Sequence, residues 1–211
     1  MLRQSRIFGI VVVLFLQILN APAEALEAGI ETSRMNYSYS EQHSSQWCWA
    51  ASIQMVMDFY GIELDQEGIV QRTYGCDPYG RLPNWAGSFQ AITANLNGMM
   101  VDKNGQPYVT AAIMCTDARV IPQLIVGELS KGQPVILGYS SGPGSGHAVV
   151  CTGCSYYGYG PNLTITRIIV RDPYPTLENR RSLGRRVYRG VDLGYKIQAA
   201  WMIYPKKTSV Y

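Results

Sequence analysis

Histidine is nearly absent from this sequence. Only His43 and His147 occur in 211 residues, so any reaction that needs an imidazole has two candidates. Charge is sparse as well, at 16% of residues with a formal net charge of +3. That balance excludes the strongly basic surface that phosphate backbones require, and no nucleic-acid partner is expected. Long apolar runs are lacking. Ile7 to Leu19 falls short of the roughly 20 residues a spanning helix needs, and no later segment reads as a span. Metal-binding spacing is lacking too. Cys151-Thr152-Gly153-Cys154 is the one tight Cys-x-x-Cys pair, whereas a four-cysteine zinc site wants two. The same pair follows the strand-like Ala148-Val149-Val150, not a helix start, which argues against a redox dithiol. No cofactor and no metal are expected. There is no internal repeat, low-complexity tract or evident linker.

What is present fits one ordinary domain with a sizeable core. The first residues form a separate unit. Arg3 and Arg6 lead into the apolar run, and Ala21-Pro22-Ala23 or Ala23-Glu24-Ala25 offers a small-x-small cleavage site. That is the pattern of a secretory signal peptide. Residues 1–25 are expected to be removed, leaving one domain over 26–211, secreted or periplasmic, with no stable membrane insertion. Loss of Arg3, Arg6 and Glu24 would take the formal charge from +3 to +2. Arg180, Arg181, Arg185, Arg186 and Arg189 form one local basic cluster, read as a solvated loop, with a site steering acidic substrates or an anionic cell surface as the alternative. All five cysteines lie after the leader: Cys48, Cys76, Cys115, Cys151 and Cys154. Export permits disulfides, and an odd count leaves at least one thiol over. With Cys48 set aside, Cys76–Cys115 and Cys151–Cys154 are the expected pairs.

Periodicity places the elements. Residues 26–45 read as a polar arm. Trp49, Ile53, Val56 and Tyr60 recur at helical spacing, with Ser44 or Ser45 as a cap and Gly61 as the stop. Cys48 then sits in or near the first turn. Gln66–Thr73 reads as a short helix. Trp85, Phe89, Ile92 and Leu96 give another, capped by Asn84 and stopped by Gly98. Pro122 suits the first turn of a third, closed by Lys131-Gly132. After Gly132 the pattern turns to strands: Val135–Tyr139, His147–Thr152, Leu163–Arg171 and Gln198–Tyr204. Helices first and strands after predict an α+β fold with an antiparallel sheet.

The chemistry turns on a cysteine. A free thiol, with a pKa near 8.5, is only a few per cent thiolate at neutral pH. Bringing it to about 4 needs roughly 6 kcal/mol. A helix dipole supplies about 0.3–1 kcal/mol, so an imidazolium in contact must do most of the work. His147 has the context for this: it opens a strand after the glycine-rich Ser140–Gly146 stretch, where a substrate backbone can approach. His43, in the polar arm, reads as exposed and incidental. Asp172 ends a strand before Pro173 and could orient the imidazole, although Asp-Pro is also a common turn. A developing oxyanion needs donors. The Cys48 backbone N–H is one, and Gln42 or Gln46 could supply the other.

These residues carry a resemblance. Gln42, five intervening residues, then Cys48-Trp49-Ala50 resembles the catalytic segment of papain-like cysteine peptidases. The longer Gln46-Trp47-Cys48-Trp49-Ala50-Ala51-Ser52 is similar to the compact bacterial branch, which includes avirulence-effector peptidases of plant pathogens and peptidases that trim double-glycine leader peptides. Gly132–Ile136, Gly146–Gly153 and Val170–Pro173 resemble later motifs of that branch, in order. The resemblance implies a papain-like fold, with an N-terminal helical half carrying the nucleophile packed on a C-terminal antiparallel sheet. It implies Cys48 as nucleophile, His147 as base and then acid, Asp172 as the orienting member and Gln42 as oxyanion donor. The substrate would be a peptide or protein. Three departures from papain itself point to the compact branch: Ser45 stands where papain has a cysteine, the third member is Asp instead of Asn, and the interval from Cys48 to His147 is shorter. Two other readings share the site: a transglutaminase-like or peptidoglycan-amidase acyl chemistry, and an inactive peptide-binding module.

Overall fold

A computed structural model describes residues 24–208. The expected leader falls outside the described residues except for Glu24 and Ala25. The elements are β1 (Leu26–Gly29), α1 (Thr32–Tyr37), α2 (Cys48–Phe59), α3 (Gln66–Tyr74), α4 (Phe89–Asn95), β2 (Gly98–Val101), β3 (Pro107–Cys115), α5 (Ile121–Ser130), β4 (Val135–Gly142), β5 (Ser145–Tyr157), β6 (Thr164–Arg171), α6 (Leu177–Ser182), β7 (Arg185–Arg189), α7 (Gly190–Leu193) and β8 (Ile197–Lys207). The strands form one sheet in the order β2-β3-β8-β4-β5-β6-β7, with β1 pairing β5 beyond the end of β4. Every pairing is antiparallel. The fold is α+β, as the resemblance implies.

Burial alternates along the central strands and fills both faces. Ile136, Val150, Ala199, Trp201 and Ile203 pack against α2, α3 and α4. Val135, Leu137, Val149, Ala200 and Met202 pack against α5. A strand covered on both sides reads as a continuous apolar run, which is why β4 and β8 stand out in the sequence. The helical half is thus one layer of three, because α5 covers the second face. The sheet also begins earlier than the strand-rich half. The β2–β3 hairpin, which the helices-first reading does not include, joins it through β3 and β8. So does β1, which occupies part of the segment read as a polar arm.

The helix α2 shows what fixes these elements. Eight of its residues, Trp49 to Ile53 and Met55 to Met57, are buried. Its N-cap is Trp47, with no side-chain cap bond, and not Ser44 or Ser45. A cap contributes about 1 kcal/mol. Burying each large apolar side chain contributes roughly 1.5–3 kcal/mol, so packing alone holds the helix. Gly61 ends it as expected: Ile62 N–H bonds to Met57 O at 2.9 Å and Gly61 N–H to Asp58 O at 2.9 Å, closing the last carbonyls. The helix α4 is shorter than its periodicity suggests. It starts after Ser88, whose hydroxyl accepts from Ala91 N–H. Trp85 stays outside it, 59% exposed, because its carbonyl is engaged elsewhere.

All five cysteines are free, so the expected pairs are corrected. Cys151 and Cys154 lie on one strand, where three residues span roughly 10 Å, beyond the ~7 Å a disulfide tolerates between Cα atoms. A bulge between Cys151 and Gly153 turns both side chains into the core beneath α5. There burial pushes both thiols up, Cys154 to about 11. Cys76 is exposed, whereas Cys115 closes β3 half-buried.

Candidate active site

Cys48 is the first residue of α2 and is half-buried. Its position is set from both sides. The Trp47 indole donates to Pro83 O at 3.0 Å, and the Trp49 indole donates to Trp85 O at 3.1 Å. Asn84, expected as a helix cap, instead accepts from Gln46 N–H at 2.9 Å and donates to the Ser45 hydroxyl at 2.8 Å. The turn before Cys48 and the loop at 83–85 are therefore one tied unit.

His147 sits near the start of β5, opposite Tyr139 on β4. The two rings meet edge to face, 5.6 Å apart. Asp172 follows the last residue of β6. Because β5 and β6 run antiparallel with Val150 opposite Arg171, the residues after β6 come alongside the start of β5. His147 Nε2 lies 2.8 Å from Asp172 Oδ1, and the side chains are only 14% and 8% exposed. The Asp172 carboxylate also accepts from Tyr174 N–H at 2.9 Å, and its own backbone N–H donates to Gly184 O at 2.8 Å. Arg186 Nε stands 3.6 Å from Asp172 Oδ2.

The electrostatics follow from this arrangement. Burial alone would push the His147 imidazolium down, but hydrogen bonds to Asp172 and Cys48, with the charges of both, outweigh it and raise the ring to about 9. Burial alone would raise Asp172. The His147 hydrogen bond and charge, the Tyr174 N–H and Arg186 together hold it below the usual carboxylate range. With Nε2 on Asp172, the ring nitrogen left for Cys48 is Nδ1. Cys48, His147 and Asp172 line one cleft of about 380 Å³, with Gln46, Tyr174, Arg186 and Tyr188 on its walls. A smaller hollow of about 120 Å³ lies on the other flank of Cys48 and His147, walled by Trp49, Gly87, Phe89 and Gly138.

The structure thus brings Cys48, His147 and Asp172 together. It places the remaining residues differently. His43 pairs with Glu67 at 2.8 Å on the surface, both about half exposed. Gln42 is buried, and its NH2 group donates to Ser44 O and Ser45 O, each at 2.9 Å. To serve an oxyanion it would have to release one of these carbonyls. Gln46 lines the cleft directly. The arginine cluster is not a loop. It spans α6 and β7, and Arg180, Arg186 and Arg189 are in ion pairs with Glu41, Glu178 and Asp192 respectively. Tyr139 and Arg186 were not picked out as site residues by the motifs. The one hint in the sequence was the position of Tyr139 just before the glycine-rich turn. Among the described residues no three His, Cys, Asp or Glu side chains converge as a metal site.

A cysteine at a helix start, faced across a cleft by a histidine on an antiparallel sheet, fits the class: this is a papain-like cysteine peptidase. Residues 34–191 match the Peptidase_C39 like family, and the chain belongs to it. Among solved structures it is similar to the peptidase domain of Streptococcus ComA, a bi-functional ABC transporter involved in a quorum sensing pathway. The identity is 15%, with 81% of this chain and 99% of that chain covered and a TM-score of 0.50. It is also similar to a double glycine motif protease from an AMS/PCAT transporter in complex with the leader peptide, at 14% identity, covering 80% of this chain and 91% of that one with a TM-score of 0.46. At these identities the likeness is one of fold. No curated protein matches the sequence.

Proposed function

We propose that this protein is an exported peptidase that hydrolyses peptide bonds through a thioester formed on Cys48, with His147 and Asp172 completing a triad. The observation that carries this reading is the His147 ring, held at 2.8 Å by Asp172 Oδ1 and lining the same cleft as Cys48. Its raised affinity for a proton favours the imidazolium that a thiolate needs opposite it. Export rests on the basic, apolar and small-residue order of the first 25 residues.

In the first half-reaction the Cys48 sulfur attacks the scissile carbonyl carbon. The oxyanion meets the Cys48 backbone N–H, which a first helical residue leaves free of intrahelical bonding. The Gln42 amide joins it by giving up one of its carbonyls. His147 passes its Nδ1 proton to the leaving nitrogen, the C–N bond breaks and the amine departs. In the second half-reaction water loses a proton to the same nitrogen and attacks the thioester. The C–S bond breaks, the acid product leaves and the ion pair returns. Asp172 stays ionised throughout and keeps the ring oriented.

The experiment compares wild type with Cys48→Ala on a mixed peptide library, in the presence and absence of amine donors. Cleavage by wild type and none by Cys48→Ala is the expected outcome. Transfer to amines in preference to water would replace hydrolysis with an acyltransferase reading. No cleavage by either protein, with slow iodoacetamide labelling of Cys48 at pH 6, would leave a binding module.

A further inference from the structure

We propose that Arg186 is a positioning residue for this reaction: from β7 it holds the outer oxygen of Asp172, so that the carboxylate keeps its other oxygen on His147. The inference rests on the triad reading above and deepens it.

The guanidinium is fixed before it reaches Asp172. Its Nε donates to Asn179 Oδ1 at 2.7 Å, and an Nη lies 3.2 Å from Glu178 Oε2. Asn179 is fully buried. Its own amide donates to Tyr174 O at 2.7 Å, and its backbone N–H to the Thr176 hydroxyl at 3.0 Å. The helix α6 is therefore a bracket that fixes where the guanidinium charge sits. Arg186 Nε, its hydrogen already given to Asn179, lies 3.6 Å from Asp172 Oδ2, so the contact is one of charge and not a hydrogen bond. Asp172 Oδ1 already accepts from both His147 and Tyr174. The two oxygens are thus divided, one for the ring and one for the cation.

A second use of Arg186, as an anchor for an acidic substrate group, fits less well. Two carboxylates, Asp172 and Glu178, already meet its charge, and a substrate anion would have to displace one. The other ionisable groups near Asp172 are Cys48 on α2, Tyr139 on β4, Tyr188 beside Arg186 on β7, and Tyr39 after α1. Burial raises Tyr39 to about 12 and carries Tyr139 further up, so both stay neutral through the working range. Arg186 is then the cation, besides His147 itself, that bears on this carboxylate.

The test uses the full chain and two readouts: iodoacetamide inactivation of Cys48 against pH, and kcat and KM on a peptide that wild type cleaves and Cys48→Ala does not. Arg186→Gln is expected to move the acid limb of both profiles up by about 1 pH unit, because Asp172 loses a nearby cation. KM should stay within about twofold and the alkaline limb should not move. Arg186→Lys should restore most of the acid limb, since charge is kept. A uniform loss of rate with unmoved limbs would make Arg186 structural and overturn the inference. So would a raised KM with an unchanged alkylation profile, which marks a substrate anchor. Should Arg186→Gln not fold, Glu178→Gln decides. Glu178 is largely exposed, and removing its charge should lower the acid limb; no shift overturns the inference. Failure to find any peptide that wild type cleaves and Cys48→Ala does not would instead remove the triad reading itself.

Discussion

His147 Nε2 is held by Asp172 Oδ1 at 2.8 Å, and that single contact leaves Nδ1 as the nitrogen free for Cys48. In the proposed triad Asp172 acts through the ring, by setting which nitrogen faces Cys48. Asp172→Ala should therefore lower kcat/KM substantially, yet by about 10- to 100-fold less than Cys48→Ala, because only the second removes the bond-forming atom. Parallel kinetics on one cleaved peptide check this. Equal losses would mean that Asp172 holds the fold of the site and not the orientation of the ring.

The same pair sets a pH window. His147 is raised in the fold, to about 9, above its ordinary 6.5. Its contribution to stability is complete below about 6.5 and is lost as pH rises through about 9. Asp172 is lowered, so its share is present above the ordinary carboxylate value near 3.9 and is lost as pH falls through its depressed value. These are two views of one contact and do not add. Activity that needs the imidazolium should fall along an alkaline limb near pH 9. Thermal unfolding of wild type and Asp172→Asn from pH 5 to 10 should show the wild-type advantage shrinking from about pH 6.5 and largely lost above about pH 9. An advantage that grows with pH would reverse the assignment.

How much of this could be read in advance depends on how local each feature is. Cys48 starts α2 and His147 lies two residues into β5, close to where periodicity places the two elements: the apolar face of Trp49, Ile53 and Val56 is buried as its spacing requires. The helices at Gln66 and Pro122 and the four later strands were legible for the same reason. Features set by distant partners were not. Arg186 depends on Asn179 and Asp172, and the strand that carries it alternates exposed with half-buried residues among arginines, so it reads as a charged loop. Trp85 fits a helical pattern, but its carbonyl is needed by the Trp49 indole, and that bond keeps it outside α4. The Cys151–Cys154 expectation failed on distance: both thiols enter one core, but the extended strand between them holds them too far apart to bond.

Gln42 and Gln46 make separable claims. Gln42 has both amide hydrogens on the carbonyls of Ser44 and Ser45, and Gln46 lies open in the cleft. If Gln42 releases one carbonyl to the oxyanion, Gln42→Ala should cost about 100-fold in kcat with little change in KM. It should also lower stability by about 1–2 kcal/mol, for two lost side-chain bonds to backbone. Gln46→Ala should change KM more than kcat. The opposite split would transfer the oxyanion role to Gln46.

The backbone behind Asp172 offers the last test. Gly184 has φ +70°, its carbonyl accepts the Asp172 N–H at 2.8 Å, and an added Cβ would lie 2.7 Å from Asp172 O while running into the Tyr39 ring. Gly184→Ala must therefore strain the left-handed backbone and also push on the residue that orients His147. Gly80→Ala separates these effects. It has φ +78° with nothing within 4 Å of the added atom, so it meets the backbone strain alone. Both variants should lose about 1 kcal/mol from the φ penalty. Gly184→Ala should lose a further ~1–3 kcal/mol from the clash. It should also lower kcat at least tenfold by displacing the Asp172 carboxylate, because rate is sensitive to misplacements on the order of 1 Å. Gly80→Ala should keep wild-type kinetics. Urea unfolding and kcat measured on both variants decide the matter. Wild-type turnover in Gly184→Ala would show that the carboxylate keeps its place without this backbone contact.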